Sequence, residues 1–231
     1  MGTYGGPKIV TDSLVFAVDA ANHKSYPGTG TIWTDLVNGS VTTTLTNGPA
    51  YSSDNAGIIN FDGTNDTGEV SSVSAYSHTQ AHTYESFVNA SHTSTQYRWL
   101  FNNGGLNDGT SAIYQTNSST GVIPQFFYDG GNAVATCKDG GVNKWFPFGW
   151  HHFVYRYNGD QTITFFVDGV EYDTLATALT WAATNSNPRF GAWYNGTWDA
   201  KFSLGIFRIY SKALNSTEVL QNFNATKHRF I

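Results

Sequence analysis

The amino-acid sequence predicts an all-β fold, two antiparallel sheets stacked as a sandwich, and three observations carry that expectation. Apolar and polar residues alternate at period two along nearly the whole chain, as half-buried strands require because successive side chains point to opposite faces. Turn pairs interrupt the alternation throughout: Pro27-Gly28, Asn38-Gly39, Asp62-Gly63, Asn103-Gly104, Asp129-Gly130, Asp139-Gly140 and Asn195-Gly196. Composition agrees, since charged residues make up 13% where about 25% is usual, while aromatics reach 16% and glycines number 24. A chain of 231 residues fits one such sandwich, a class that reaches about 200–250 residues as a single unit.

Each element has its own signal. Leu14–Asp19, Ile58–Phe61 and Glu69–Val73 alternate between turn clusters; in His82–Ala90, Tyr84, Ser86 and Val88 interleave with Glu85, Phe87 and Asn89. Arg98–Asn102, Ala112–Thr116 and Ile123–Tyr128 follow, then His151–Tyr157 with Phe153, Tyr155 and Tyr157 on one face. The hairpin Thr162–Asp173 is the clearest, because Asp168-Gly169 supplies the residues that a tight primed turn needs. Arg189–Tyr194 and Lys201–Tyr210 complete the set. In the latter, Phe202, Leu204 and Ile206 keep one phase and Phe207 and Ile209 the other, which predicts a bulge near Gly205-Ile206 or else cover on both faces, the bulge being favoured. The exception to strand is the C-terminus, where Asn215 with Glu218 forms a capping box, Leu214 can staple onto Val219, and a helix runs from about Ser216 to Ala225. Val219, Leu220 and Phe223 define its apolar face, and Lys227, His228 and Arg229 fall where a helix dipole favours cations. Residues 1–13, with Gly and Pro before any regular pattern, read as an N-terminal arm, and 14–231 as the sandwich domain with its helix.

Net charge is −5, which argues against a nucleic-acid partner. No stretch of 18 apolar residues is present to span a bilayer, and no basic start followed by an apolar run marks a secretion signal, so synthesis in the cytosol is expected. The lone Cys137 allows no intrachain disulfide.

Three segments carry a family likeness: Phe61-Asp62-Gly63-Thr64-Asn65-Asp66; Gly149-Trp150-His151-His152-Phe153-Val154 through Phe166-Val167-Asp168-Gly169; and Phe207-Arg208-Ile209-Tyr210-Ser211-Lys212-Ala213-Leu214 before the helix. Together they resemble the laminin-G-like branch of the concanavalin A-like lectin/glucanase superfamily, which implies a jelly-roll sandwich. The opening Thr3–Asp12, with Asp19-Ala20-Ala21-Asn22, Lys24–Gly28 and the closing Asn222–Lys227, is similar to laminin-G-like proteins of tailed bacteriophages. That likeness implies a virion location, as a capsid decoration or a fibre component, with other virion proteins and copies of itself as partners. Tyr4, Pro7 and Ile9 are then the candidate assembly residues of the arm.

Glucanases of the superfamily need two or three carboxylates together. This chain has four glutamates, Glu69, Glu85, Glu171 and Glu218, and its nearest approach to an acidic motif is Glu171-Tyr172-Asp173 with no third acid. Catalysis is not expected. Adjacent His151 and His152 face opposite ways on a strand and cannot chelate one ion, so one is expected in the core and the other exposed. Calcium is a candidate ligand at Asp62, Asn65 and Asp66, although the same residues are ordinary turn chemistry. Trp193, Tyr194, Asn195, Trp198 and Asp199 form an aromatic and polar loop able to stack on sugar rings and bond their hydroxyls. The competing reading places Trp193 in the core and pairs Tyr194 with Trp198 across a hairpin; both stay open. The expected function is a non-catalytic phage virion protein with a lectin-like fold, adhering to surfaces or stabilising the particle; the alternative is a free carbohydrate-binding module that takes host-surface or environmental glycans, with calcium if any ion.

Overall fold

Alternation resolves into eighteen strands among the described residues of this computed structural model, which are 8–73, 80–91, 97–104, 109–117, 120–129, 133–177, 188–193 and 199–231. In chain order they are β1 Leu14–Asp19, β2 Ile32–Thr34, β3 Thr42–Thr46, β4 Ala50–Ser52, β5 Ile58–Asp62 and β6 Thr67–Val70. Then come β7 His82–Ala90, β8 Tyr97–Gly104, β9 Gly109–Asn117, β10 Gly121–Asp129, β11 Ala133–Thr136, β12 Lys138–Asp139 and β13 Val142–Asn143. The last are β14 Trp150–Tyr157, β15 Thr162–Val167, β16 Val170–Ala176, β17 Arg189–Phe190 and β18 Lys201–Tyr210, followed by helix α1 Ser216–Thr226.

Two eight-stranded antiparallel sheets form a jelly-roll sandwich. The first runs β16-β15-β14-β7-β18-β5-β4, with β1 also on β18; the second runs β11-β10-β9-β8-β17-β6-β3-β2. Their facing sides share one core in which Trp33, Tyr84, Phe101, Tyr114, Phe126, Tyr155 and Phe207 are buried. The bulge in β18 falls between Leu204 and Ile206. It divides the strand's pairing: Lys201–Leu204 bond to β5, and Ile206–Tyr210 bond to β1. Beyond the bulge the strand is also covered on both faces, because Phe207 and Ile209 enter the core while Tyr210 packs outside with Leu214 and Val219. At the β15–β16 turn Asp168 and Gly169 both have positive φ, 53° and 79°, the pair of values that a primed turn demands.

Some boundaries differ from the sequence expectation. The strand expected at Glu69–Val73 begins at Thr67 and ends at Val70, because pairing with β3 and β17 rather than apolar content sets its limits. β17 stops at Phe190, after which Gly191 turns the chain away. β2, β3, β4, β11, β12 and β13 went unsignalled: threonine carries much of β3, and such short segments show little alternation.

Helix α1 lies against the outer side of the first sheet, held by the capping box Asn215–Glu218. Its buried face is Val219, Asn222 and Thr226, and Leu220 is 46% exposed, contrary to the apolar face expected from spacing. The reason is a polar network beneath the helix. Glu85, 1% exposed, accepts from Arg208 Nη1 (3.0 Å), His152 Nε2 (2.8 Å) and Asn222 Nδ2 (2.8 Å). A leucine on that face would leave Glu85 short of a donor, and burying an incompletely bonded charge is costly. Asn222 Oδ1 also accepts the amide of Val10 (2.7 Å), whose carbonyl receives the Tyr210 hydroxyl (3.1 Å). So Val10 belongs to the packed outer cluster, and the sequence expectation of an arm outside the core does not hold at this residue. Tyr4 and Pro7 lie outside the described residues; Ile9 is half-buried beside Leu14, Leu36 and Val37. After α1, Lys227–Arg229 form a short 3-10 turn, and Arg229 pairs with Asp19 (2.9 Å) rather than serving the helix end.

Candidate functional site

Two segments that the sequence offers separately meet at one rim of the sandwich. The first is the reversal after β5. Asp62 Oδ1 accepts the Thr64 amide (2.7 Å), and Asp66 Oδ2 accepts the Asp62 amide (2.8 Å), so the turn closes on its own side chains. Asn65 gives its carbonyl to Asn47 Nδ2 (2.9 Å), which ties in the Asn47–Ala50 turn. The second segment is the chain around Asp199, whose carbonyl accepts from Arg98 Nη1 (2.9 Å). Gly191 makes the meeting feasible: its φ is +86°, and a Cβ there would lie 2.6 Å from the Asp66 carbonyl oxygen.

The electrostatics of this rim are unusual for the molecule. Asp66 is 4% exposed, and burial pushes its carboxyl above the usual range, opposed by the Asp62 amide and reinforced by the Asp62 charge. Asp199 is raised too, first by burial and further by Asp62 and Asp66, against its own backbone amide and Arg98. Asp199 Oδ1 is buried with no hydrogen-bond partner among the described residues. Two carboxylates thus stand partly desolvated with oxygen atoms to spare, the state that a hydroxyl or ammonium donor would relieve.

The remaining candidates distribute as follows. Trp193 is half-buried and stacks on Trp99 (centroids 5.6 Å apart, planes 6° apart) with Ile113 and Val134, a cluster separate from the sandwich core. Tyr194, Asn195 and Trp198 lie outside the described residues. Asp62 and Asp66 each spend one carboxylate oxygen on an amide of the turn and Asn47 takes the Asn65 carbonyl, so these residues act as turn chemistry; among the described residues no group of three acids, histidines or cysteines could hold a metal. His152 is fully buried on Glu85, as expected for one of the pair. His151 is not exposed: it sits between Asp168 Oδ2 and the Pro147 carbonyl, each 2.8 Å from a ring nitrogen, and these acceptors hold its pKa above the ordinary value despite burial. Every glutamate has a structural partner: Glu69 with Arg189, Glu85 in its network, Glu171 with Arg156 and Ser216, and Glu218 in the helix cap with Lys212. Cys137 is buried and its thiol pushed up to about 12, mainly by burial, which removes it as a nucleophile.

What the sequence did not signal is a cavity of about 380 Å³ beside this rim, lined among others by Asn47, Asn60, Asp66, Lys201 and Ser203. Its walls come from segments far apart in the chain, and no local motif joins them.

Comparison with known proteins agrees with this architecture. A laminin-G-type profile of the concanavalin A-like lectin/glucanases superfamily matches residues 62–220. No curated protein sequence matches the chain. Among solved structures, the binding domain of Paraclostridial Mosquitocidal Protein 1 is similar with 17% identity and a TM-score of 0.67, over 91% of this chain and 52% of that one. Trypanosoma rangeli sialidase in complex with the inhibitor DANA gives 14% and 0.63, over 96% and 34%. The botulinum neurotoxin serotype D binding domain gives 10% and 0.68, over 92% and 51%. The chain spans about half of the two binding domains and a third of the sialidase, and at these identities the likeness is one of fold. The chain belongs to the concanavalin A-like lectin/glucanase superfamily.

Proposed function

We propose that this member of the superfamily is a non-catalytic, lectin-like binding domain that receives a glycan at the rim formed by the Asp62–Asp66 turn and the Trp193–Asp199 segment. The observation that carries this reading is a pair of carboxylates with hydrogen-bonding capacity left over: Asp66, buried and bonded through one oxygen to the Asp62 amide, and Asp199, half-buried with its Oδ1 buried and unpartnered among the described residues. Sugar hydroxyls supply the missing donors, and indole rings supply apolar faces for stacking. Engagement of all four glutamates in structural contacts supports binding without hydrolysis, and two of the similar folds are themselves named binding domains. The test is retention on a broad glycan array: the wild-type chain should hold at least one glycan, and Trp198→Ala should lose it with an unchanged melting temperature. A chain that retains no sugar at all, or one that cleaves a polysaccharide, would falsify this reading.

A second, narrower reading is favoured by the opening and closing segments that resemble tailed-phage proteins: the domain serves as an adhesive or stabilising component of a virion. Because Val10 is packed against α1, the informative deletion is Met1–Pro7 rather than the whole arm. It should leave the fold intact and abolish incorporation into particles; normal incorporation removes the arm from assembly.

A further inference from the structure

We infer that the cavity between β5, the start of β18 and the Asn47–Ala50 turn seats one neutral, hydroxyl-rich ring, such as a single hexose. This inference rests on the glycan reading and deepens it by naming the class of residue bound and the atoms that bind it.

Four features of the lining point there. Asp66 is 4% exposed, its Oδ2 is spent on the Asp62 amide, and its Oδ1 accepts no hydrogen bond among the described residues while its side chain borders the cavity. Lys201 is exposed at the mouth and forms no ion pair among the described residues, although Asp62 is its neighbour in the ladder. Asn60 Oδ1 accepts the Ser203 hydroxyl (2.5 Å), which leaves the Asn60 amide nitrogen to donate. Phe61 and Phe202, stacked at 4.5 Å, also line the cavity and add carbon surface to the polar groups.

The cavity therefore offers an acceptor at Asp66 and donors at Asn60 and Lys201 within about 380 Å³, the lower part of the range for small-molecule sites. A hydroxyl both donates and accepts, so a ring bearing several of them can satisfy all three. Other ligand classes match less well. A metal ion lacks a third acidic or imidazole ligand here, a cation meets Lys201, an anion meets Asp62 and Asp66, and an apolar group would leave Asp66 buried without a donor.

Calorimetric titration of the full chain with neutral methyl hexosides tests this. At least one should bind the wild type; Asp66→Asn, which keeps a carbonyl oxygen for the Asp62 amide, should weaken it about tenfold, and Lys201→Ala about threefold. Trp198→Ala should reduce retention of longer glycans. If Asp66→Asn fails to fold, Lys201→Ala decides alone, since it removes only an exposed side chain. Loss of longer-glycan retention on Trp198→Ala with no response to Asp66→Asn or Lys201→Ala overturns the cavity and leaves binding at the Trp193–Asp199 segment standing; failure of every glycan, long or short, removes both. Binding of glucosamine but of no neutral hexoside overturns the assignment of a neutral ring.

Discussion

Glu85 and Asp66 are both almost fully buried carboxylates in one small sandwich, and they are treated oppositely. Glu85 lies under helix α1 with donors from Arg208, His152 and Asn222; although burial raises its pKa, the Arg208 charge and these bonds outweigh that and hold it below the ordinary range. Asp66 has one backbone donor and is held above it. The first arrangement is closed on itself and ties strand, helix and N-terminal segment together. The second is incomplete, and it opens onto a cavity. Burial of a charge alone does not mark a functional group; burial with bonding capacity left over does.

The largest effect expected from this contrast is on the closed side. Arg208→Met removes the guanidinium charge bonded to Glu85, and should cost about 3–5 kcal/mol in denaturant unfolding; a loss below about 1 kcal/mol would mean that Glu85 is not held as an ion. Next, Asn222→Ala should cost about 2 kcal/mol and speed amide exchange at Val10, whose donor loses its acceptor; unchanged exchange would show that the N-terminal segment is held by packing alone.

Acid titration compares the two sites directly. Glu85 has a folded pKa below its unfolded one, so its contribution is complete above the ordinary glutamate value of about 4.3 and is lost as pH falls beneath it. Asp66 has a raised folded pKa, so it opposes folding at neutral pH and that opposition lifts as pH falls through the folded value. Melting temperatures from pH 7 to 3 should therefore fall more steeply for Asp66→Asn than for the wild type, and parallel curves would contradict the assignment. The smallest effect is Asp66→Asn at neutral pH, within about 0.5 kcal/mol of the wild type or slightly more stable. A large loss there would place Asp66 among the structural acids.

Much of the scaffold was legible. The Thr162–Asp173 hairpin, the phase change in β18 and the Asn215–Glu218 cap each depend on residues close in sequence, where turn geometry and periodicity act locally. Leu220 was misjudged for the complementary reason: spacing puts it beside Val219 on an apolar stripe, but Glu85, on a strand far upstream, decides that Asn222 takes the buried position. At the candidate site the acidic turn and Asp199 each stood out, yet nothing in their spacing said that they adjoin, or that Lys201 and Asn60 complete a cavity beside them.

Alternation, turn residues and capping chemistry were thus determined by the sequence, because each is settled by backbone preferences over a few residues. Which buried polar atoms find partners was decided only by tertiary structure, since a hydrogen bond of 2.8 Å between a helix and a strand distant in the chain leaves no trace in either segment alone. Both the fully bonded acid at Glu85 and the half-bonded one at Asp66 are products of that second step.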